Sequence, residues 1–247
     1  MARSFRLALA SVVASAALLG GAIVAPSAQA APSAPTAEAL AAKTALENLK
    51  PQPTDAASVI DGIAAANKLL ETLKITPFTP TVGACTDFTL ASAVGGAIAG
   101  PNTPLVGDLT FSLLGKEVDL NAVRKGEILY GFVPVGTFND TGSKKGMQVA
   151  WFNVNTFQGS IGEPMDGLGE TIVKAVTKRV AETGIPGAEI LVKDGLAKIA
   201  DAVPSNGVRG GIVETGSGTV LSAIYGTIKK GDATCFFFPS LGIATAK

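Results

Sequence analysis

The last quarter of the chain, GVRGGIVETGSGTVLSAIYGTIKKGDATCFFFPSLGIA at residues 207–244, is the most sheet-like stretch of the sequence. Its runs Val208–Thr215, Thr219–Ile228 and Ala233–Phe238 are rich in the β-branched and aromatic residues that strands favour. Short glycine-containing turns separate these runs. Tight turns between such runs predict an antiparallel meander at the C-terminal end of the chain.

This meander carries Cys235, and the only other cysteine of the chain is Cys85. Two cysteines in an oxidising compartment most often form one disulfide, which here would tie the last strand to the first half of the chain. Two free buried thiols and an intermolecular bridge are the alternatives. Because the chain has no histidine, two cysteines cannot complete a closed structural zinc site.

Residues 1–30 have the pattern of a secretory signal peptide. Arg3 and Arg6 precede a charge-free apolar run at residues 7–25, and Ala-Gln-Ala at residues 28–30 matches the small-x-small pattern of a cleavage site. We therefore expect a secreted or extracytoplasmic protein, in the cell envelope or outside the cell, with no transmembrane span after cleavage. An uncleaved anchor helix is the competing interpretation.

The charge composition bears on the class of partner. The chain has 20 basic and 20 acidic residues, and only 16% of its residues are charged. A nearly neutral chain lacks the basic footprint of a nucleic-acid-binding protein, so no nucleic-acid partner is expected. An exported protein with so few charges either buries much of itself or presents apolar surface to something.

Residues 31–75 have the pattern of an N-terminal helical hairpin. A first helix is predicted from Thr36 to about Leu49, and a second helix begins near Thr54. An apolar stripe follows the second helix at steps of three and four residues: Val59, Ile63, Ala66, Leu70 and Leu73. The hairpin is interpreted as an arm that covers one face of a sheet, or as a partner-binding coiled coil with an exposed stripe.

The segment from Ile75 to Gly107 has only one charge, Asp87, and no strong periodicity. Its prolines favour extended backbone at the start, and its later part is rich in alanine and glycine. The sequence predicts a buried loop and helix held in place by Cys85. The alternative is a segment that touches membrane or lipid.

Three strands are predicted in the middle of the chain, at Leu109–Leu114, Glu127–Val135 and Met147–Phe157. The turn residues at 139–143 suggest that the second and third strands form a hairpin. In the third strand one face is the more apolar, and we expect that face to meet the core. Its members are Ala150, Phe152, Val154 and Thr156.

Two amphipathic helices are predicted next, from Pro164 to about Gly184 and from Ala188 to Val203. The order of elements predicts an α+β domain at residues 76–247, closed by the Cys85–Cys235 disulfide. Its mostly antiparallel sheet would have about six strands, covered by the two amphipathic helices and preceded by the helical hairpin.

Several chemistries are excluded by residue type. Without histidine there is no Ser-His-Asp, Cys-His or His-Glu-x-x-His site, and neither Ser-x-x-Lys nor Gly-x-Ser-x-Gly occurs.

The tetrapeptide Asp140-Thr141-Gly142-Ser143 resembles the catalytic tetrapeptide of aspartic proteases. Catalysis by those enzymes needs two such loops, so the tetrapeptide is interpreted here as a turn. No catalytic residue, cofactor or metal ligand is predicted, and the chain is interpreted as non-enzymatic.

The phenylalanines suggest a binding role instead. Phe236, Phe237 and Phe238 place rings on both faces of one strand, so either both faces are buried or one face lines an apolar groove. The predicted function is an exported binding or cell-envelope protein for a lipid or another apolar ligand. The alternatives are a carboxylate-dependent hydrolase and an interaction module that acts through the N-terminal helices. The candidate lining residues are Phe88, Phe132, Phe152, Phe157, Phe236 and Phe238.

Overall fold

The computed structural model describes residues 44, 56–113, 115–139, 144–184, 196–197 and 199–247. The predicted signal peptide, nearly all of the first predicted helix and the Asp-Thr-Gly-Ser turn at residues 140–143 lie outside the described residues. So does most of the predicted helix at Ala188–Val203, although its end is helical at residues 199–202.

The described chain consists mainly of strands. Helix α1 (Ala56–Thr72) comes before the first strand, and helix α2 (Leu168–Glu182) comes between the eighth and the ninth strand. The strands are β1 (Thr76–Cys85), β2 (Leu90–Ala99), β3 (Thr110–Leu113), β4 (Lys116–Asp119), β5 (Glu127–Pro134), β6 (Met147–Asn153), β7 (Gly159–Pro164), β8 (Asp166–Gly167), β9 (Arg209–Glu214), β10 (Gly218–Lys230) and β11 (Ala233–Ala246). Strands β3 and β4 form a small hairpin of their own.

The other nine strands form one antiparallel sheet in the order β7-β6-β10-β11-β1-β2-β5-β9-β8. The two edge strands, β7 and β8, are consecutive in the chain and are separated only by Met165. Strand β7 pairs with β6, whereas β8 pairs with β9 at the far edge. One stretch of chain therefore reaches both edges, and the sheet curls into a nearly closed, barrel-like form.

The inner face of the curled sheet is filled by its own side chains. Phe132 of β5 packs edge-on against Phe237 of β11, with ring centroids 5.1 Å apart. The hydroxyl groups of Tyr130 on β5 and Ser222 on β10 are hydrogen-bonded across the interior at 2.8 Å, although β11, β1 and β2 lie between these strands in the sheet. Since β7 and β8 form one stretch of chain, the sheet closes with about eight strands, which leaves an interior that side chains can fill. These contacts show side chains inside it.

Small residues on β2 allow the walls of the sheet to approach one another. Ala93 and Ala97 belong to the inner core, and a Cβ atom on Gly95 would lie only 2.7 Å from the Ser240 hydroxyl oxygen of β11. The Gly95 amide donates a hydrogen bond to that oxygen at 3.0 Å. The alanine and glycine content of this segment is therefore a packing requirement of the strand.

Both helices pack against the outer face of the sheet, and they cover only part of it. Leu69 and Leu70 of α1, and Leu73 directly after it, are fully buried in a cluster that includes Val94 of β2 and Val133 of β5. The buried stripe of α2 joins the same cluster through Leu168, Ile172, Val176 and Val180. Burial of such stripes is the usual source of stability for amphipathic helices.

An ion pair fixes α2 to the start of β5. The Arg179 guanidinium donates to the Glu127 carboxylate at 2.6 Å, and both side chains are largely buried. The other oxygen of Glu127 accepts a hydrogen bond from the Arg124 amide at 2.8 Å, and Arg124 pairs with Glu182 at 3.0 Å. Each charge in this network is compensated, as buried charges require.

The predicted disulfide is confirmed. Cys85 and Cys235 are bonded, and they are direct cross-strand partners in the pairing of β1 with β11. Cys235 is fully buried and Cys85 nearly so. The bond therefore fastens the two strands at one end of the sheet.

The predicted fold class is wrong. The sheet has nine strands rather than about six, and it curls on itself instead of lying beneath two helices behind a helical hairpin. Of that hairpin, the structure describes α1, whose stripe is buried against the sheet. A curled sheet packs its inner face against itself, so the helices are needed on only part of the outer face.

Three local predictions also fail. The segment from Ile75 to Gly107 forms strands β1 and β2 rather than a buried loop and helix. Strand β9 pairs with β5 and β8, so the C-terminal meander includes only β10 and β11. Strands β5 and β6 are not paired, and the predicted strand at Met147–Phe157 ends at Asn153 before β7 begins. Turn residues alone do not distinguish a hairpin from a connection between distant strands.

Removal of the disulfide should lower stability while the fold persists. The double variant Cys85→Ala with Cys235→Ala should lose about 2–4 kcal/mol of unfolding free energy, because the unfolded chain regains the freedom of a long loop. Urea denaturation of both proteins, with and without reductant, measures this loss. Reductant should destabilise the natural protein and leave the double variant unchanged; equal stability of the two proteins would contradict the expectation.

Tyr130 should make stability depend on alkaline pH. Burial raises its pKa to about 12, partly opposed by the hydrogen bond with Ser222. A tyrosine in the unfolded chain ionises near pH 10, so the unfolded state loses its proton first and is favoured as the pH rises. The contribution is complete below about pH 10, and about 2–3 kcal/mol should be lost as the pH approaches 12.

Denaturation at pH 8 and pH 11.5 tests this with two variants. Tyr130→Phe should remove this part of the alkaline loss, at a cost of about 1–3 kcal/mol at neutral pH because the Ser222 hydroxyl loses its partner. Tyr225→Phe removes the other tyrosine and should keep the loss that belongs to Tyr130. Identical alkaline losses in all three proteins would show that Tyr130 is not responsible.

Candidate functional site

The outer face of β1, β11, β10, β6 and β7 carries a row of large apolar side chains that are open to solvent. Eight such residues and the adjoining Leu90 of β2 are called here the apolar face: Val82, Leu90, Phe152, Ile161, Leu221, Phe236, Phe238, Leu241 and Ile243. These strands are consecutive neighbours in the sheet, as are β1 and β2. The apolar face is therefore one surface and not a scatter of single residues.

The alternation of strand side chains produces this exposure. Phe237 is only 4% exposed and points into the core, whereas its neighbours Phe236 and Phe238 are 55% and 63% exposed. In β6, Val149 and Asn153 are buried while Phe152 is exposed. Successive strand residues point to opposite faces. In a strand whose residues are all apolar, every second side chain therefore fills the core and the others lie on the outer surface.

Strand pairing places the members of the apolar face side by side. Leu221 of β10 lies opposite Ile243 of β11 on one side and Phe152 of β6 on the other. Directly opposed side chains in antiparallel strands lie about 5 Å apart and are in contact. This row therefore crosses three strands without a polar residue.

Charged residues avoid this region. Strands β1, β6 and β11 contain none, and β10 has only Lys229 and Lys230 at its end. Strand β7 contributes Glu163. Soluble proteins normally place charges on an exposed sheet face, and these adjoining strands have almost none there.

Side-chain hydrogen bonds join β1 and β11 in the middle of the apolar face, beyond the paired residues Gly83–Cys85 and Cys235–Phe237. The Thr81 hydroxyl donates to the Phe238 carbonyl at 2.7 Å, and the Leu241 amide donates to the Thr79 hydroxyl at 2.9 Å. The Ser240 hydroxyl donates to the Thr79 carbonyl at 2.6 Å. These bonds satisfy backbone groups beside Pro239, which has no N–H to donate.

Two exposed phenylalanines extend the apolar face at its opposite ends. Phe88 is 99% exposed in the turn after Cys85, where the Asp87 carboxylate accepts hydrogen bonds from the amide and hydroxyl of Thr89. Phe157 is also exposed, follows the far end of β6 and packs edge-on against Phe152 with ring centroids 6.3 Å apart. Both residues have positive φ angles, which non-glycine residues adopt uncommonly.

The six predicted lining residues are not brought into one site. Phe152, Phe236 and Phe238 belong to the apolar face, and Phe88 and Phe157 lie at its ends. Phe132 is fully buried in the core on the other side of the sheet. Aliphatic members such as Leu221, Leu241 and Ile243 were missed, although their alternation with buried neighbours in β10 and β11 was a usable signal.

Three of the described carboxyl groups have a lowered pKa. Hydrogen bonds from the Thr89 side chain hold the pKa of Asp87 below its usual value, Thr110 and Asn121 do the same for Asp108, and Lys174 does so for Asp166. A general acid needs the opposite shift. Within the described residues, no group of three acidic, cysteine or histidine side chains could hold a metal ion.

The phenylalanine triplet allows a direct test of which face is exposed. Phe237→Ala should cost about 3–5 kcal/mol of unfolding free energy because it leaves a cavity in the core. Phe236→Ala and Phe238→Ala should each cost less than about 1 kcal/mol, since both rings are already largely in water. Urea denaturation of the three variants measures the difference; a large cost at 236 or 238 would mean that the apolar face is covered in the free protein.

Comparison with known proteins does not identify an occupant for the apolar face. No described helix is long and apolar enough to cross a membrane. The chain matches no protein-family model, no curated protein and no solved structure.

Proposed function

We propose that the protein is an exported, non-enzymatic protein that binds an apolar component of the cell envelope through its apolar face. The observation that carries the proposal is an uncharged outer face with nine exposed large apolar side chains, on a sheet whose inner face carries a buried core. The component is a lipid or another molecule with a hydrocarbon part, because such a surface offers a partner mainly apolar contact.

The size of the apolar face makes its exposure significant. Five strands about 4.8 Å apart and about eight residues in length give it an area of roughly 500 Å². The largest apolar patch on a typical soluble monomer covers about 300–600 Å² and is often functional. Burial at about 25 cal/mol per Å² would release about 12 kcal/mol before the costs of binding, so there is a strong drive to cover it.

Two features support export. The first thirty residues have the charge, apolar run and cleavage pattern of a signal peptide. The Cys85–Cys235 disulfide agrees with an oxidising compartment, where such bonds persist. Envelope surfaces are rich in hydrocarbon, so export would bring the apolar face to a suitable partner.

The packing favours ligand binding on the outer face over the other locations considered. Inside the sheet, Phe132, Phe237 and Ile224 belong to one buried core, so a ligand there would have to displace side chains. On α1, the predicted interaction stripe includes Leu70, which is fully buried against the sheet. A ligand on the apolar face would displace no packed side chain and no helix.

Binding of a monomeric fluorescent fatty acid tests the proposal. The exported protein should bind it saturably, and the triple variant Phe236→Ser, Phe238→Ser and Leu241→Ser should bind about tenfold or more weakly, equivalent to about 1.4 kcal/mol. Ile60→Ser is the matched control because Ile60 is an exposed apolar residue on α1; it should bind as the natural protein does.

Thermal unfolding of each variant would verify that the folds are intact. Absence of saturable binding by the natural protein would contradict the proposal. Equal affinity of the natural protein and the triple variant would place the binding site elsewhere.

A further inference from the structure

We infer that the occupant of the apolar face is the hydrocarbon region of a lipid bilayer, against which the sheet lies on its side with α1 and α2 toward water. This inference rests on the proposed function, since it names the apolar partner of the same surface. The choice follows from the lack of charged groups on the apolar face, from its area and from the position of charged and polar residues around it.

The chemistry of the apolar face suits hydrocarbon better than protein. Protein interfaces carry about one hydrogen bond per 100–200 Å² and are enriched in tyrosine, tryptophan and arginine. The nine side chains of the apolar face are aliphatic or phenylalanine, and the polar side chains that share this outer face, Gln148, Tyr225 and Thr227, are uncharged. Acyl chains make no hydrogen bonds and need a surface whose backbone groups are paired internally, as the sheet ladders and the Thr79 and Thr81 bonds provide here.

The area argues against a second copy of this chain as the occupant. A standard stable interface buries about 800 Å² on each partner. The apolar face covers roughly 500 Å² and lies on the outside of a curved sheet, so two copies would touch over only part of it. A bilayer is deformable and can cover a convex apolar surface completely.

Polar pairs mark where the apolar face ends. At one end of the β10–β11 ladder Thr219 lies opposite Thr245, and at the other end Lys229 lies opposite Thr234. A face that sinks into hydrocarbon needs such a boundary, because polar groups stay at the level of the headgroups and water. The boundary sets the part of the strands that would be buried.

The opposite side of the molecule has the composition of a water-facing surface. Helix α1 includes the exposed charges Asp61, Lys68 and Glu71, and α2 includes Lys174 and Lys178. The helix-covered and helix-free parts of the outer surface therefore differ in charge, as the two sides of a membrane-bound protein do. This asymmetry would orient the apolar face toward the bilayer and the two helices toward water.

Quenching by brominated lipid tests the orientation. In a Trp151→Phe background, which removes the chain's only tryptophan, single tryptophans are introduced as Phe238→Trp on the apolar face and Ile60→Trp on α1. The exported proteins are mixed with phosphatidylcholine vesicles whose acyl chains carry bromine. Fluorescence of the tryptophan at position 238 should fall severalfold, and that at position 60 should be unchanged.

Vesicle flotation with an intact Trp151 provides a second measurement if the background substitution disturbs the core. The natural protein and Ile60→Ser should float with the vesicles, and the triple variant Phe236→Ser, Phe238→Ser and Leu241→Ser should remain in solution. All three are the exported proteins and differ only at the substituted positions, so the difference reports on the apolar face.

Three results would overturn the inference. Saturable binding of monomeric fatty acid without flotation or quenching would leave the proposed function standing and reject the bilayer. Equal quenching at positions 60 and 238 would reject the orientation. A concentration-dependent dimer that the triple variant abolishes, seen by sedimentation velocity without vesicle binding, would assign the apolar face to a second copy of the chain.

Discussion

The connection at residues 159–167 is the constraint on which the rest of the structure depends. It pairs with β6 through its first part and with β9 through its last part, so it brings the two edges of the sheet together. Closure turns one face of every strand toward a common interior, where those side chains pack against each other. The helices are then left to cover the outer face over β2 and β5, and the outer face of the remaining strands stays in contact with solvent.

That division explains why an apolar strand can be both core and surface. In β11 the inward residues Cys235, Phe237 and Ser240 hold the interior through a disulfide, a ring contact and a hydrogen bond. The outward residues Phe236 and Phe238 make no comparable contribution to the core. Apolar side chains in such positions have a cost in solubility, which the proposed binding role would explain.

The sequence supports some of these features and conceals others. Strong alternation and β-branched content predict β10, and the spacing of Leu168, Ile172 and Val176 predicts α2. Strand β2 is hidden because its inner residues must be small enough for Ser240 to approach Gly95, and alanine and glycine carry no periodic signal.

The orientation of β6 was predicted with Phe152 inward and is wrong, because both of its faces are apolar and hydrophobicity cannot choose between them. The same ambiguity concealed the apolar face, which depends on which strands the helices cover.

Carbene footprinting of the exported protein, with and without lipid vesicles, tests the central claim most directly. A small diazirine reagent labels side chains that solvent reaches, and peptide mass spectrometry locates the label. The account predicts strong labelling of Phe236, Phe238 and Leu241 in the free protein and protection of these residues by lipid, with little labelling of Phe237 in either state. Weak labelling of Phe236 and Phe238 in the free protein, or labelling that lipid leaves unchanged, would contradict it.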